Sequence, residues 1–106
     1  MSQIRLVSLH CDKLQDSISE DEIVVRVNGA RVVGPIGVHK NSTVPLNASR
    51  SFNGTAVVTM VEEDTNSQDD ELGTHVVTEK EAGQGNKIHV FDEATHARYE
   101  LTYSVS

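Results

Sequence analysis

The sequence predicts an all-β protein, an antiparallel β-sandwich of eight strands. Apolar residues alternate with polar residues far more often than they follow helical spacing. The clearest case is Arg98–Val105, in which four apolar side chains share one face. Turn signals separate the short strand-like runs, and the strongest of them is Asn28-Gly29. A length of 106 residues suffices for one hydrophobic core but not for two, so we expect a single domain over residues 1–106.

The expected strands follow one another at short intervals. They lie at residues 3–11, 23–27, 31–33, 44–46, 55–61, 74–78, 87–91 and 97–105. The third strand returns from the Asn28-Gly29 turn and is expected to break at Gly34-Pro35. The run 44–46 contains a proline and is expected at a sheet edge, whereas 55–61 is apolar on both faces, as in a central strand. Helical signals are limited to single turns at 79–83 and 92–97.

Composition narrows the functional classes. The net charge of −7 argues against nucleic acid as a partner, because phosphate binding needs a basic surface. The single cysteine, Cys11, excludes an intrachain disulfide. No apolar run approaches membrane-spanning length and the first residues lack the apolar core of a signal peptide, so we expect a cytoplasmic protein. Glycosylation sequons at Asn41, Asn47 and Asn53 leave secretion by another route open, although these residue types are also common in turns.

The acidic stretch 62–74 points to a cation. Glu62 and Asp64 lie two residues apart where a strand opens into a loop, and Asp70 comes near the far end of that loop. Crowded carboxylates repel one another, and calcium prefers six to eight oxygen ligands. The alternative is a solvated acidic hairpin tip that protects a sheet edge from aggregation.

A second acidic loop joins the first two strands. Residues 12–22 carry five carboxylates in eleven positions. If the two acidic loops meet at one end of the sandwich, they can supply a calcium site from more than one segment.

These segments resemble the C2 domain, the calcium- and phospholipid-binding β-sandwich of protein kinase C and the synaptotagmins. The resemblance rests on residues 19–25, 57–64 and 69–73. Asp21 matches an aspartate of that family's first calcium loop, and three residues match the acidic positions of its third loop: Glu62, Asp64 and Asp70. Gln15 stands where a further first-loop aspartate is expected, so Asp16 or Asp12 could take its place. The resemblance implies a calcium ion that orders the loops or bridges to a protein partner or an anionic lipid, with five ligands: Asp16, Asp21, Glu62, Asp64 and Asp70.

The sequence is also compatible with functions other than calcium binding. No catalytic motif is present, so we expect a protein that is not an enzyme. The main alternative is a metal-independent interaction or structural module, and a small enzyme or toxin-like secreted effector is a third class. The five histidines show no zinc spacing, although a zinc site assembled across the fold stays open. Beside the acidic loop, His75 is expected to have a raised pKa if a carboxylate lies near it.

Overall fold

The protein is a sandwich of two antiparallel four-stranded sheets. The structure is a computed structural model and describes residues 1–15, 20–63, 69–93 and 96–106. Its strands are β1 (Ser2–Lys13), β2 (Glu20–Val27), β3 (Ala30–His39), β4 (Thr43–Phe52), β5 (Thr55–Glu62), β6 (Asp70–Thr78), β7 (Lys87–Phe91) and β8 (Arg98–Val105). The described residues contain no helix of the length and apolar content that crossing a membrane requires. The predicted all-β, eight-stranded fold is confirmed.

The two sheets differ in strand order. One, here the β1 sheet, has the order β4-β1-β8-β7, and the other, here the β2 sheet, has the order β3-β2-β5-β6. Alternate residues of each strand point between the sheets, as the period of two requires. The core is formed by these inward side chains, among them Leu9, Val25, Met60 and Leu101, all with no exposed surface.

The hairpin turn and the interior strands follow the sequence closely, whereas the edge strands β3 and β4 are longer than the expected 31–33 and 44–46. Asn28 and Gly29 adopt positive φ angles of 50° and 83°, as the hairpin turn requires. The Asn28 side-chain oxygen also accepts a hydrogen bond of 2.8 Å from the Val57 backbone N–H. Strand β4 is at an edge and β5 is interior, both as expected. A 3-10 turn covers Glu79–Glu81, whereas the turn expected at 92–97 falls partly outside the described residues.

The predicted break at Gly34-Pro35 is wrong. Strand β3 continues through both residues, and its pairing with β2 changes register beside them, between Ile23 and Val25. Because β3 is an edge strand, proline is tolerated there. Gly34 has a φ of 93°, and a Cβ at this position would clash with the Ile23 carbonyl oxygen. A glycine therefore allows the irregular strand to remain paired.

Candidate metal centre

Asp21 is a buried carboxylate at the start of β2. It has no exposed surface, and its Oδ2 accepts two hydrogen bonds. The Tyr99 hydroxyl donates one at 2.5 Å, and the Gln15 backbone N–H donates the other at 2.6 Å. Since Tyr99 belongs to β8 of the opposite sheet, the first bond links the two sheets. A carboxylate in a protein interior needs such donors because burial removes its hydration.

The protonation of Tyr99 keeps this link intact. Burial raises the pKa of the Tyr99 hydroxyl far above its ordinary value, and the adjoining Asp21 carboxylate raises it further. Burial also raises the pKa of the Cys11 thiol, which lies opposite Tyr99 in the β1–β8 pairing. Tyr99 is therefore a hydrogen-bond donor to Asp21 throughout the physiological pH range.

Strand register brings Glu62 and Asp70 to the same end of the β2 sheet as Asp21. Glu62 lies opposite Ile23 on β2 and opposite Asp70 on β6. Directly opposed residues of antiparallel strands project to the same side, with Cβ atoms about 5 Å apart. Asp21 precedes Ile23 by two residues and so shares that side. Glu62 is 2% exposed, and Asp70 is exposed.

The other two residues of the expected site, Asp16 and Asp64, lie outside the described residues, and their placement stays a prediction. Within the described ranges, the ligand oxygens of Asp21, Glu62 and Asp70 do not all fall within 4.8 Å of one another. The register thus gathers three predicted ligands at one end of the sandwich, here called the acidic end, without forming a compact trio.

A compact trio of ligand atoms occurs elsewhere. In the described part of the chain, one atom each from His10, Asp12 and Glu100 lie within 4.8 Å of one another. His10 and Glu100 are directly opposed on β1 and β8, and all three side chains are half-buried on the outer face of the β1 sheet. Alternation along each strand predicts outward positions for His10 and Glu100, but nothing local in the sequence predicts that β1 pairs with β8.

The charges in this trio are partly compensated. The hydrogen bond between the two carboxyl groups lowers the pKa of Asp12 and raises that of Glu100. Arg98 Nε lies 3.2 Å from Asp12 Oδ2, and His10 Nε2 lies 3.3 Å from Asp12 Oδ1. The C2 resemblance leaves Asp12 open as a substitute ligand in the loop of residues 12–22, but its side chain contacts His10 and Arg98 on the outer face. Asp21 lies on the inner face of the other sheet.

Solved structures of other proteins share this two-sheet architecture. A structure described as a C2 domain superimposes with a TM-score of 0.66 and 20% identity, covering 100% of this chain and 99% of that one. The chain has a C2-like fold. A C2 domain of plant extended synaptotagmin 1 matches with a TM-score of 0.53 and 9% identity, over 99% of this chain and 92% of that one. At these identities the likeness concerns the fold alone.

A larger protein contains the same fold. Human GIVD cytosolic phospholipase A2 matches with a TM-score of 0.61 and 14% identity, over 98% of this chain but only 15% of the phospholipase. The comparison therefore concerns a small part of that enzyme. No protein-family model matches the sequence, and no curated protein matches it.

The environment of His75 differs from the sequence-based expectation. In the C2-like sandwich, His75 on β6 stacks on His89 of β7, with ring centroids 3.7 Å apart and an interplanar angle of 12°. Burial lowers the pKa of His75, and the neighbouring His89 lowers it further, which outweighs the raising effect of Glu81. The net shift is downward because burial and the second imidazole outweigh the Glu81 carboxylate, which acts in the expected direction.

A tyrosine completes the surroundings of this histidine pair. His75 Nε2 is 3.1 Å from the Tyr103 hydroxyl, which donates a hydrogen bond of 2.7 Å to Glu81 Oε1. Lys87 Nζ lies 3.4 Å from the same oxygen. The stack joins the edge strands of the two sheets, so its role is one of packing between sheets.

Proposed function

We propose that this protein is a calcium-binding C2-like module whose site lies at the acidic end. Asp21, Glu62 and Asp70 supply ligands, and Asp16 and Asp64 complete the set. The observation that carries the proposal is the register that gathers Asp21, Glu62 and Asp70 on one side of the β2 sheet, two of them buried.

Electrostatics supports a cation at this position. Carboxylates gathered at one end of a sandwich raise the free energy of one another's charged forms. The acidic end combines two buried carboxylates with Asp70, in a protein whose net charge is −7. A calcium ion would reduce the repulsion among these groups and would draw oxygens from β2, β5 and β6.

Calcium binding would have two consequences. It would tie the loop between β1 and β2 to the loop between β5 and β6, which stabilises the folded chain by mass action. It would also reverse part of the negative field at the acidic end, so that an anionic lipid headgroup or a protein partner could add ligands to the ion. Without calcium, the negative charge disfavours contact with an anionic membrane.

The test is a set of thermal melts of chelator-treated protein, with calcium and with magnesium. Asp70→Asn removes one exposed carboxylate of the site. Glu71→Gln is a matched control, because it removes a charge one residue away, opposite Val61 on the other side of the sheet. We expect calcium to raise the melting temperature of wild type and Glu71→Gln by several degrees, and to raise that of Asp70→Asn much less.

Two results would oppose the proposal. Equal shifts with magnesium and calcium would indicate a generic response to ionic strength. Equal calcium shifts in Asp70→Asn and Glu71→Gln would show that this carboxylate is not a ligand. Either result would favour a metal-independent interaction module in which the acidic end contacts a basic partner.

A further inference from the structure

The outer face of the β1 sheet holds a second set of metal-binding atoms, different in kind from the oxygen-rich acidic end. It combines one imidazole, from His10, with two carboxylates, from Asp12 and Glu100, all within 4.8 Å. The His10 side chain is 35% exposed and that of Asp12 is 29% exposed. The trio is thus accessible to solvent while its side chains are held against the sheet.

The backbone fixes the positions of all three residues. His10 and Glu100 are directly opposed on paired strands, which brings their side chains to one side at short range. The β1–β8 register shifts between Cys11 and Lys13, so that Asp12 is the extra residue of a bulge. Bulges often redirect a side chain beside a functional site. Here the bulged residue directs its carboxylate towards His10.

Neighbouring side chains orient the trio from outside. His10 Nδ1 is 2.7 Å from Thr43 Oγ1 on β4. In the tautomer that carries its proton on Nδ1, the Nδ1–H donates a hydrogen bond to Thr43 Oγ1, and Nε2 keeps its lone pair and faces Asp12 Oδ1 at 3.3 Å. Arg98 contacts the other oxygen, Asp12 Oδ2, at 3.2 Å. Such contacts hold the ligands of metal sites in a fixed orientation, and they leave Oδ1 directed towards the imidazole.

We propose that His10, Asp12 and Glu100 bind a divalent transition-metal ion of the Zn²⁺ class on the outer face of the β1 sheet. Three protein ligands of nitrogen and carboxylate type suit Zn²⁺, with water or an external ligand at the fourth position. Calcium is a poor match, because it requires more oxygens and does not favour imidazole. This site is independent of the calcium proposed at the acidic end.

The test is a calorimetric titration of the chelator-treated full chain with Zn²⁺, with Co²⁺ absorption as a second probe of coordination. His10→Gln and Glu100→Gln each remove one ligand. His39→Gln is the matched control, because His39 Nε2 also lies 3.2 Å from a carboxylate, that of Glu20, but outside the trio. Thr43→Val keeps all three ligands and removes only the contact with Nδ1.

We expect one Zn²⁺ per chain, with affinity reduced at least about tenfold in His10→Gln and Glu100→Gln and also reduced in Thr43→Val. His39→Gln and Asp70→Asn should bind Zn²⁺ as wild type does, and excess calcium should not displace it. Circular dichroism establishes that each variant is folded. No Zn²⁺ binding by wild type, or equal binding by wild type and folded His10→Gln, would overturn the proposal. An equal loss in His39→Gln would also overturn it, by indicating adventitious binding to surface histidines.

Discussion

Replacing Tyr99 with phenylalanine tests the buried link between the two sheets. The change removes the hydroxyl that donates to Asp21 Oδ2 at 2.5 Å and leaves the ring in the core. Both residues have no exposed surface, so water cannot replace the lost donor. A hydrogen bond to a charged group contributes about 1.5–3 kcal/mol, and Asp21 Oδ2 keeps one of its two donors, the Gln15 backbone N–H. We expect the free energy of unfolding to fall by about 2–3 kcal/mol.

Urea denaturation measures this change, and Tyr103→Phe is its matched control. Tyr103 lies on the same strand and donates to Glu81 Oε1 at 2.7 Å. The Glu81 side chain is 17% exposed and also contacts Lys87, so the remaining carboxylate can be solvated. We expect a loss of about 1 kcal/mol or less for Tyr103→Phe. Equal losses in the two variants, or a loss below about 0.5 kcal/mol in Tyr99→Phe, would show that burial does not strengthen the hydrogen bond from Tyr99 to Asp21.

Three further variants test the fold. Gly34→Ala should lower the free energy of unfolding, measured by urea denaturation, by about 2–4 kcal/mol. The reason is that the φ of 93° at Gly34 and the adjacent Ile23 carbonyl oxygen exclude a Cβ. A variant as stable as wild type would contradict this expectation. Leu101→Ala should lower it by about 2–5 kcal/mol, since Leu101 has no exposed surface; a smaller loss would indicate a loosely packed core. The pKa of His75 is lowered from 6.5 by burial and by His89, so the unfolded chain binds the proton more tightly. The contribution of His75 to the free energy of unfolding is therefore complete above about pH 6.5, and it is lost as the pH falls through the pKa of His75 in the folded protein. His75→Gln should flatten this acid-side decline in urea titrations, and an unchanged pH profile would count against the lowered pKa.

The sequence predicts well those elements in which apolar and polar residues alternate regularly, and those turns whose residues favour positive φ angles. Arg98–Val105 forms β8 with its four apolar residues inward, and Asn28-Gly29 forms the hairpin turn. Edge strands are predicted less completely. Strand β4 extends through the polar residues Ser49 and Arg50, whose side chains need no apolar pattern because they are exposed. The continuation of β3 through Gly34-Pro35 depends on a register change that local rules do not anticipate.

The candidate sites differ in how far the sequence predicts them. Glu62 and Asp70 flank one loop, so their proximity follows from local hairpin geometry, which the β5–β6 register confirms. The contact between Tyr99 and Asp21 joins residues 78 positions apart, and no local pattern signals it. The trio of His10, Asp12 and Glu100 likewise requires the pairing of the first strand with the last. Such long-range pairings are fixed by how the whole sandwich buries its apolar faces, which a local motif cannot specify.

A crystal structure of the protein grown with millimolar calcium is the most direct test of a calcium site at the acidic end. We expect an ion at the acidic end, with carboxylate oxygens of Asp21, Glu62 and Asp70 at about 2.3–2.6 Å from it, the range for calcium. Additional oxygens from Asp16 and Asp64 are expected around the same ion. Calcium found only elsewhere, or an acidic end without an ion at saturating calcium, would contradict calcium binding by these carboxylates.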